Sequence, residues 1–146
     1  MKGWEEHINV HKPLEEVFGY VSTFERHGEW SGHGLQATKV GDGPLAVGTK
    51  YSTTAKQFGT QKEESTITEI NEPKRFGWDS VGALGRIHHQ FSLLEDGVGT
   101  QLSKSVELTN PTFLAKLMGF KMKHDVPKAL KADLTKIKEN LERSSG

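Results

Sequence analysis

Residues 41–51 read Gly-Asp-Gly-Pro-Leu-Ala-Val-Gly-Thr-Lys-Tyr (GDGPLAVGTKY), and two different folds compete for them. From Gly43 the stretch runs G-x-x-x-x-G-T-K, a phosphate-binding loop with its last two residues exchanged. Such a loop needs a helix after the glycine turn, because the first helical amides and the lysine hold the phosphates. The residues after Gly48 are Thr-Lys-Tyr-Ser-Thr-Thr-Ala-Lys (49–56), dense in β-branched and hydroxyl side chains with a period of two, which is a strand. The lysine is displaced by one position, and no acidic strand end offers itself as a magnesium ligand. The stretch therefore reads as a tight strand-to-strand connection in which Gly-Asp-Gly-Pro supplies the positive φ angles.

The same period extends on both sides. Strands are expected at 35–40, 49–56, 62–70, 76–81, 85–94 and 100–109, separated by Gly-Asp-Gly-Pro, Phe-Gly-Thr, Asn-Glu-Pro-Lys, Gly-Ala-Leu-Gly and Glu-Asp-Gly-Val-Gly. Turns this short join antiparallel neighbours, since parallel pairs need long crossovers. Upstream, Trp4, Ile8 and Val10 alternate with polar residues as a first strand, and Lys12-Pro13 ends it. Leu14, Val17, Phe18, Val21 and Phe24 then recur at helical spacing. Residues 25–34 (ERHGEWSGHG) read as a short second helix or an irregular loop around Trp30. Downstream, Leu114, Met118, Met122, Val126, Leu130, Leu134, Ile137 and Leu141 form the apolar series of a terminal helix over 110–143. Steps of four rotate such a stripe by about 40° each, so breaks are expected at Gly119 and Pro127. One domain is expected over residues 1–146.

Composition narrows the partners. Nineteen Lys and Arg balance nineteen Asp and Glu, which argues against nucleic acid as a partner. Without cysteine the chain has neither disulfides nor thiolate metal sites. The N-terminus is too polar for a signal peptide, and no apolar run reaches the length of a membrane span. A cytoplasmic protein, monomeric or weakly dimeric, is expected. From Asn110 onward eight Lys or Arg face four acids. The terminal helix is thus either solvated on its charged side or capable of peripheral contact with an anionic membrane.

The order of elements resembles the helix-grip superfamily that includes polyketide cyclases and dehydrases, START-type lipid-transfer domains and the birch-pollen-allergen type. Residues 8–18 (INVHKPLEEVF) are similar to its opening strand, proline and helix, and Trp30 sits where a tryptophan commonly closes the second helix. Residues 43–51, 67–76 (ITEINEPKRF), 99–102 (GTQL) and 134–142 (LTKIKENLE) resemble its later turns, last strand and last helix. The resemblance implies an α+β fold of about seven antiparallel strands curved around a long C-terminal helix, with an apolar cavity between them. It implies binding of a small hydrophobic molecule, such as a lipid, isoprenoid or polyketide, by a carrier or sensor. An aromatase, cyclase or dehydratase is the alternative, and a co-chaperone-like interaction domain a third.

Period two then selects inward side chains, and polar ones among them carry the information. They are Glu6, Tyr51, His89 and Lys104. Desolvation would bring Glu6, His89 and Lys104 toward proton exchange near neutral pH. His89 or Glu6 would serve as general base, with Lys104 or Tyr51 stabilising an enolate oxygen. Each also has an ordinary structural reading, as a solvated or hydrogen-bonded side chain. Trp30, Phe76, Trp78, Phe91, Met118 and Met122 are the candidates for ligand contact, or else plain core. No metal or cofactor is expected. His7 and His11 lie about 13 Å apart on a strand, His88 and His89 point to opposite faces, and His27 and His33 lack a third ligand. No G-x-S-x-G elbow is present.

Overall fold

The alternating stretches pair into one antiparallel sheet. The computed structural model describes residues 2–32, 34–56 and 60–143; His33 and most of the expected Phe58-Gly59-Thr60 turn lie outside them. The strands are β1 (Lys2–Val10), β2 (Gln36–Val40), β3 (Lys50–Lys56), β4 (Thr60–Asn71), β5 (Arg75–Gly82), β6 (Gly85–Asp96) and β7 (Gly99–Pro111). Their order across the sheet is β1-β7-β6-β5-β4-β3-β2. Six strands follow as a meander, and the first joins the last, Lys2 opposite Leu108 and Val10 opposite Thr100. Register shifts between Ile67 and Glu69 and between Arg86 and Ile87 add the local twist that bends a sheet.

The opening stretch is the predicted connection. Gly41, Gly43 and Gly48 take φ of 86°, 108° and 95°. The amide of Gly48, which a phosphate loop would offer to its ligand, donates instead to the Ile67 carbonyl at 2.8 Å.

Helix α1 (Leu14–Val21) starts after Pro13 and buries Leu14, Val17, Phe18 and Val21. Phe24–Glu29 forms a 3₁₀ turn. With three residues per turn, Phe24, His27 and Trp30 stack on one edge, and all three are buried. Helix α2 (Phe113–Leu117) ends at Met118, and α3 (Gly119–Arg143) runs on from there. The expected break at Gly119 is present. At Pro127 the helix is not interrupted, since α3 runs on to Arg143. The surroundings of the drifting stripe change along it. Met118, Met122 and Val126 are half-buried in the front part, whereas Leu134, Ile137 and Leu141 join the core with Val10, Phe18 and Leu102.

Two glycines separate backbone strain from packing. Gly85 has φ 103°, and a Cβ there would meet the Asn110 carbonyl oxygen at 2.0 Å; Gly43 has φ 108° with nothing within 4 Å. Gly43→Ala is expected to lose only the backbone term, about 1–2 kcal/mol. Gly85→Ala adds overpacking and should lose on the order of 3 kcal/mol or more. Urea midpoints that are equal for the two variants would contradict this.

Candidate functional site

The sheet's concave face and the front half of α3 enclose a cavity of about 500 Å3. The inward positions on five strands reach it: Thr53 and Ala55 of β3, Glu63 and Ser65 of β4, Trp78 and Ser80 of β5, Ile87 and His89 of β6, Lys104 and Val106 of β7. Met118, Met122, Val126, Ala129 and Leu130 close the other side, and Phe24, His27 and Trp30 of the 3₁₀ edge complete the wall.

Several polar groups interrupt this mostly apolar wall, among them Lys104, His27, His89 and Trp30. Lys104 is only 4% exposed, and its Nζ sits 5.7 Å from the ring centre of Trp30 and 6.0 Å from that of Phe91. Burial pulls its pKa down, while the Asp133 carboxylate, also in the wall, favours the charged form. The aromatic faces give the ammonium partial compensation.

His89 stands opposite Trp78 in the β5–β6 ladder, and their rings stack at 4.9 Å with planes 3° apart. Its Nε2 lies 3.1 Å from Ser80 Oγ. Burial, then the nearby Lys104 charge, holds it well below the ordinary imidazole pKa. His27 donates from Nε2 to the Val21 carbonyl at 2.8 Å, which fixes Nδ1 as the bare acceptor. Burial, with a smaller contribution from Lys104, lowers its pKa to about 3. Both rings are therefore neutral at neutral pH. His27 Nδ1, His89 Nδ1 and Trp30 Nε1 are buried without a hydrogen-bond partner among the described residues, and all three residues line the cavity. Unpaired buried polar atoms are rare in folded proteins. Three of them around one hollow, beside a buried lysine, give it the means to hold a polar function within an apolar envelope.

The structure brings together some predicted site residues and not others. Lys104, His89, Trp30, Trp78, Met118 and Met122 line the cavity. Glu6 does not. It pairs in register with Lys104 on the edge strand β1, on the inward side but outside the cavity wall, so the expected carboxylate base is displaced from the site. Tyr51 is also behind the wall. Its ring stacks on Phe24 at 4.5 Å, and burial, with Glu25 nearby, pushes its hydroxyl up to about 12. Phe76 and Phe91 are fully buried behind Trp78 and Trp30. They support the lining rings without forming the surface.

Sequence reasoning missed His27 and Asp133 as site residues. Their signals were a histidine midway between Phe24 and Trp30 at three-residue spacing, and a carboxylate at Asp133 within the stripe Val126, Leu130, Ile137. Among the described residues no group of three or more His, Asp or Glu is placed to hold a metal ion.

Known proteins share this architecture. A family model described as polyketide cyclase/dehydrase and lipid transport matches residues 2–142. Among solved structures, TTHA0849 from Thermus thermophilus superposes with a TM-score of 0.77 at 16% identity, covering 99% of this chain and 100% of that one. Ara h 8.0201 gives 0.66 at 15%, covering 97% and 98%. The di-domain ARO/CYC StfQ from the steffimycin biosynthetic pathway gives 0.70 at 14%, covering 97% of this chain and 45% of that one. Identities this low speak for shared fold. No curated protein matches the sequence.

The buried neutral His27 sets a pH dependence. The unfolded imidazole takes up a proton near pH 6.5, whereas the folded one does so only near 3. Stability thus falls as pH drops through that window, by about 2 kcal/mol between pH 7 and 5 for this group. His89 is shifted the same way and adds to the loss. Denaturant titrations at pH 5, 6 and 7 should show a shallower pH slope in His27→Gln than in the parent. Identical slopes would refute a buried, uncharged His27.

Proposed function

The chain belongs to the polyketide cyclase/dehydrase and lipid-transport family, and from that premise we propose that it takes up a small hydrophobic molecule bearing an oxygen function and carries or senses it in the cytoplasm. The observation that carries this reading is the set of unpartnered polar atoms beside Lys104 in a mostly apolar cavity of about 500 Å3. That volume falls within the range of small-molecule sites. A carbonyl, carboxylate or hydroxyl oxygen would accept from the Lys104 ammonium and the Trp30 indole N–H. A hydroxyl would also donate to His27 Nδ1. The rest of the molecule would lie against Trp78, Met118 and Met122, whose flexible thioethers adapt to varied shapes.

The second reading, a cyclase or dehydratase, is favoured by one specific observation: a neutral His89 and a buried Lys104 share the cavity. His89 would remove a proton next to a carbonyl whose oxygen Lys104 holds, so that the enolate forms against a fixed positive charge. The hollow gives the interaction-domain alternative no support, since that reading would be favoured by a cavity packed shut with side chains.

Ala129 lies on the α3 wall, and Ala129→Trp should fill the hollow. Native mass spectrometry of protein purified from its host is expected to find an apolar passenger on the parent and none on folded Ala129→Trp. Equal occupancy of both would remove the cavity as the binding site. For the enzymatic reading, His89→Ala should lower turnover of a poly-β-keto analogue about 100-fold or more while the analogue still binds. Retained turnover leaves the carrier.

A further inference from the structure

Helix α2 and the first turns of α3 turn an apolar face to the outside. Phe120 is 94% exposed, Phe113 75% and Leu117 67%. The bonds from the Met118 amide to the Leu114 carbonyl and from the Met122 amide to the Met118 carbonyl carry a helical path across the α2–α3 junction, so at about 3.6 residues per turn these three fall on roughly the same side. The opposite face is the one the fold uses, with Ala115 buried and Met118 and Met122 in the cavity wall. The segment is therefore apolar on both sides, unlike a surface helix with one side to solvent. Its polar residues occupy the flanks. Lys116 on α2 and Lys121 and Lys123 at the start of α3 flank the exposed apolar residues, and no acid occurs between Asn110 and His124. The chain as a whole is neutral, so this charge is local.

The platform is also fixed in place. Thr112 Oγ1 accepts from the Ala115 amide, capping α2, and donates to the Ala83 carbonyl at 2.8 Å, while the Thr112 amide donates to the Leu84 carbonyl. Leu84 lines the cavity, as do Met118, Lys121 and Met122. The exposed face and the cavity thus share the same short stretch of chain.

We propose that the outward face of Phe113–Lys123 docks on an anionic lipid bilayer and sets the cavity beside the membrane surface. Phe113, Leu117 and Phe120 would enter the boundary between head groups and acyl chains, and Lys116 and Lys123 would extend to lipid phosphates. Charge distinguishes this partner from a second copy of the chain. A two-fold contact through the stripe sets Lys116 and Lys123 of one copy near the same lysines of the other, a repulsive arrangement. The role given to the surface, exchange of an apolar molecule with the membrane, rests on the cavity reading; the docking itself does not.

Vesicle flotation tests it, with phosphatidylcholine alone and phosphatidylcholine containing 30% phosphatidylglycerol. The parent is expected to float with the anionic vesicles at least about tenfold better than with the neutral ones, and less well as salt rises. The double variants Phe113→Ser/Phe120→Ser and Lys116→Glu/Lys123→Glu should each lose about tenfold or more. Both should keep the parent's melting temperature, because these side chains stand in solvent. Absence of flotation by the parent, or equal flotation of the serine variant, overturns the proposal. So does a parent dimer that the serine variant dissolves while no vesicle is bound. Binding of 8-anilinonaphthalene-1-sulfonate, measured without vesicles, reports on the cavity separately. Its sensitivity to Ala129→Trp with no flotation would sink docking alone, whereas flotation with a dye response indifferent to that substitution would sink the cavity reading alone.

Discussion

The helix α3 is held by its rear half, and everything distinctive about the molecule follows from that. Leu134, Ile137 and Leu141 lock into the core beside Val10, Phe18 and Leu102, each burial contributing roughly 2 kcal/mol. The strand they press upon, β1, is itself secured by pairing with β7. Because the apolar series advances in four-residue steps, its front members rotate away from that packed region. Met118, Met122 and Val126 come to overlie the concave sheet without filling it. A helix with a drifting stripe is thus enough to make both a core and a hollow. Pro127 marks where one passes into the other.

Inside the hollow, low dielectric governs the protonation states. Burial shifts Lys104 toward its neutral form, and it holds the two histidines next to it in theirs. The groups reinforce one another, since the charge of Lys104 depresses both imidazoles. Asp133 acts in the opposite sense on Lys104 alone. The outcome is a buried lysine beside neutral imidazoles and an indole N–H, an arrangement suited to orienting an uncharged or weakly acidic oxygen compound.

Most of the fold was legible because the strands alternate cleanly. Thr53/Ala55, Trp78/Ser80, Ile87/His89 and Lys104/Val106 all face the side that period two assigns them. The site was legible only where it lies on those strands. Glu6 shows the limit: its direction was right, but direction along a strand does not tell how far a neighbouring helix or strand shields it from the hollow. Tyr51, Phe76 and Phe91 show another, since alternation does not separate a wall residue from the layer behind it. His27 was hidden because 3₁₀ spacing repeats every three residues and resembles neither period sought. Of the two expected interruptions, Gly119 falls at the α2–α3 junction, whereas α3 runs on past Pro127.

The junction of first and last strands has a consequence for biosynthesis. Val10 pairs with Thr100 and Lys2 with Leu108, so roughly a hundred residues must leave the ribosome before β1 finds its neighbour, which at 5–20 residues per second takes about 5–20 s. Through that interval the nascent chain carries an apolar strand, Trp4, Ile8 and Val10, with no ladder to join. The sheet's own meander gives it nothing until β7 emerges, and α3 comes later still. This places the protein among slowly assembling, non-local topologies and makes its opening nine-residue strand the segment most in need of shelter during translation.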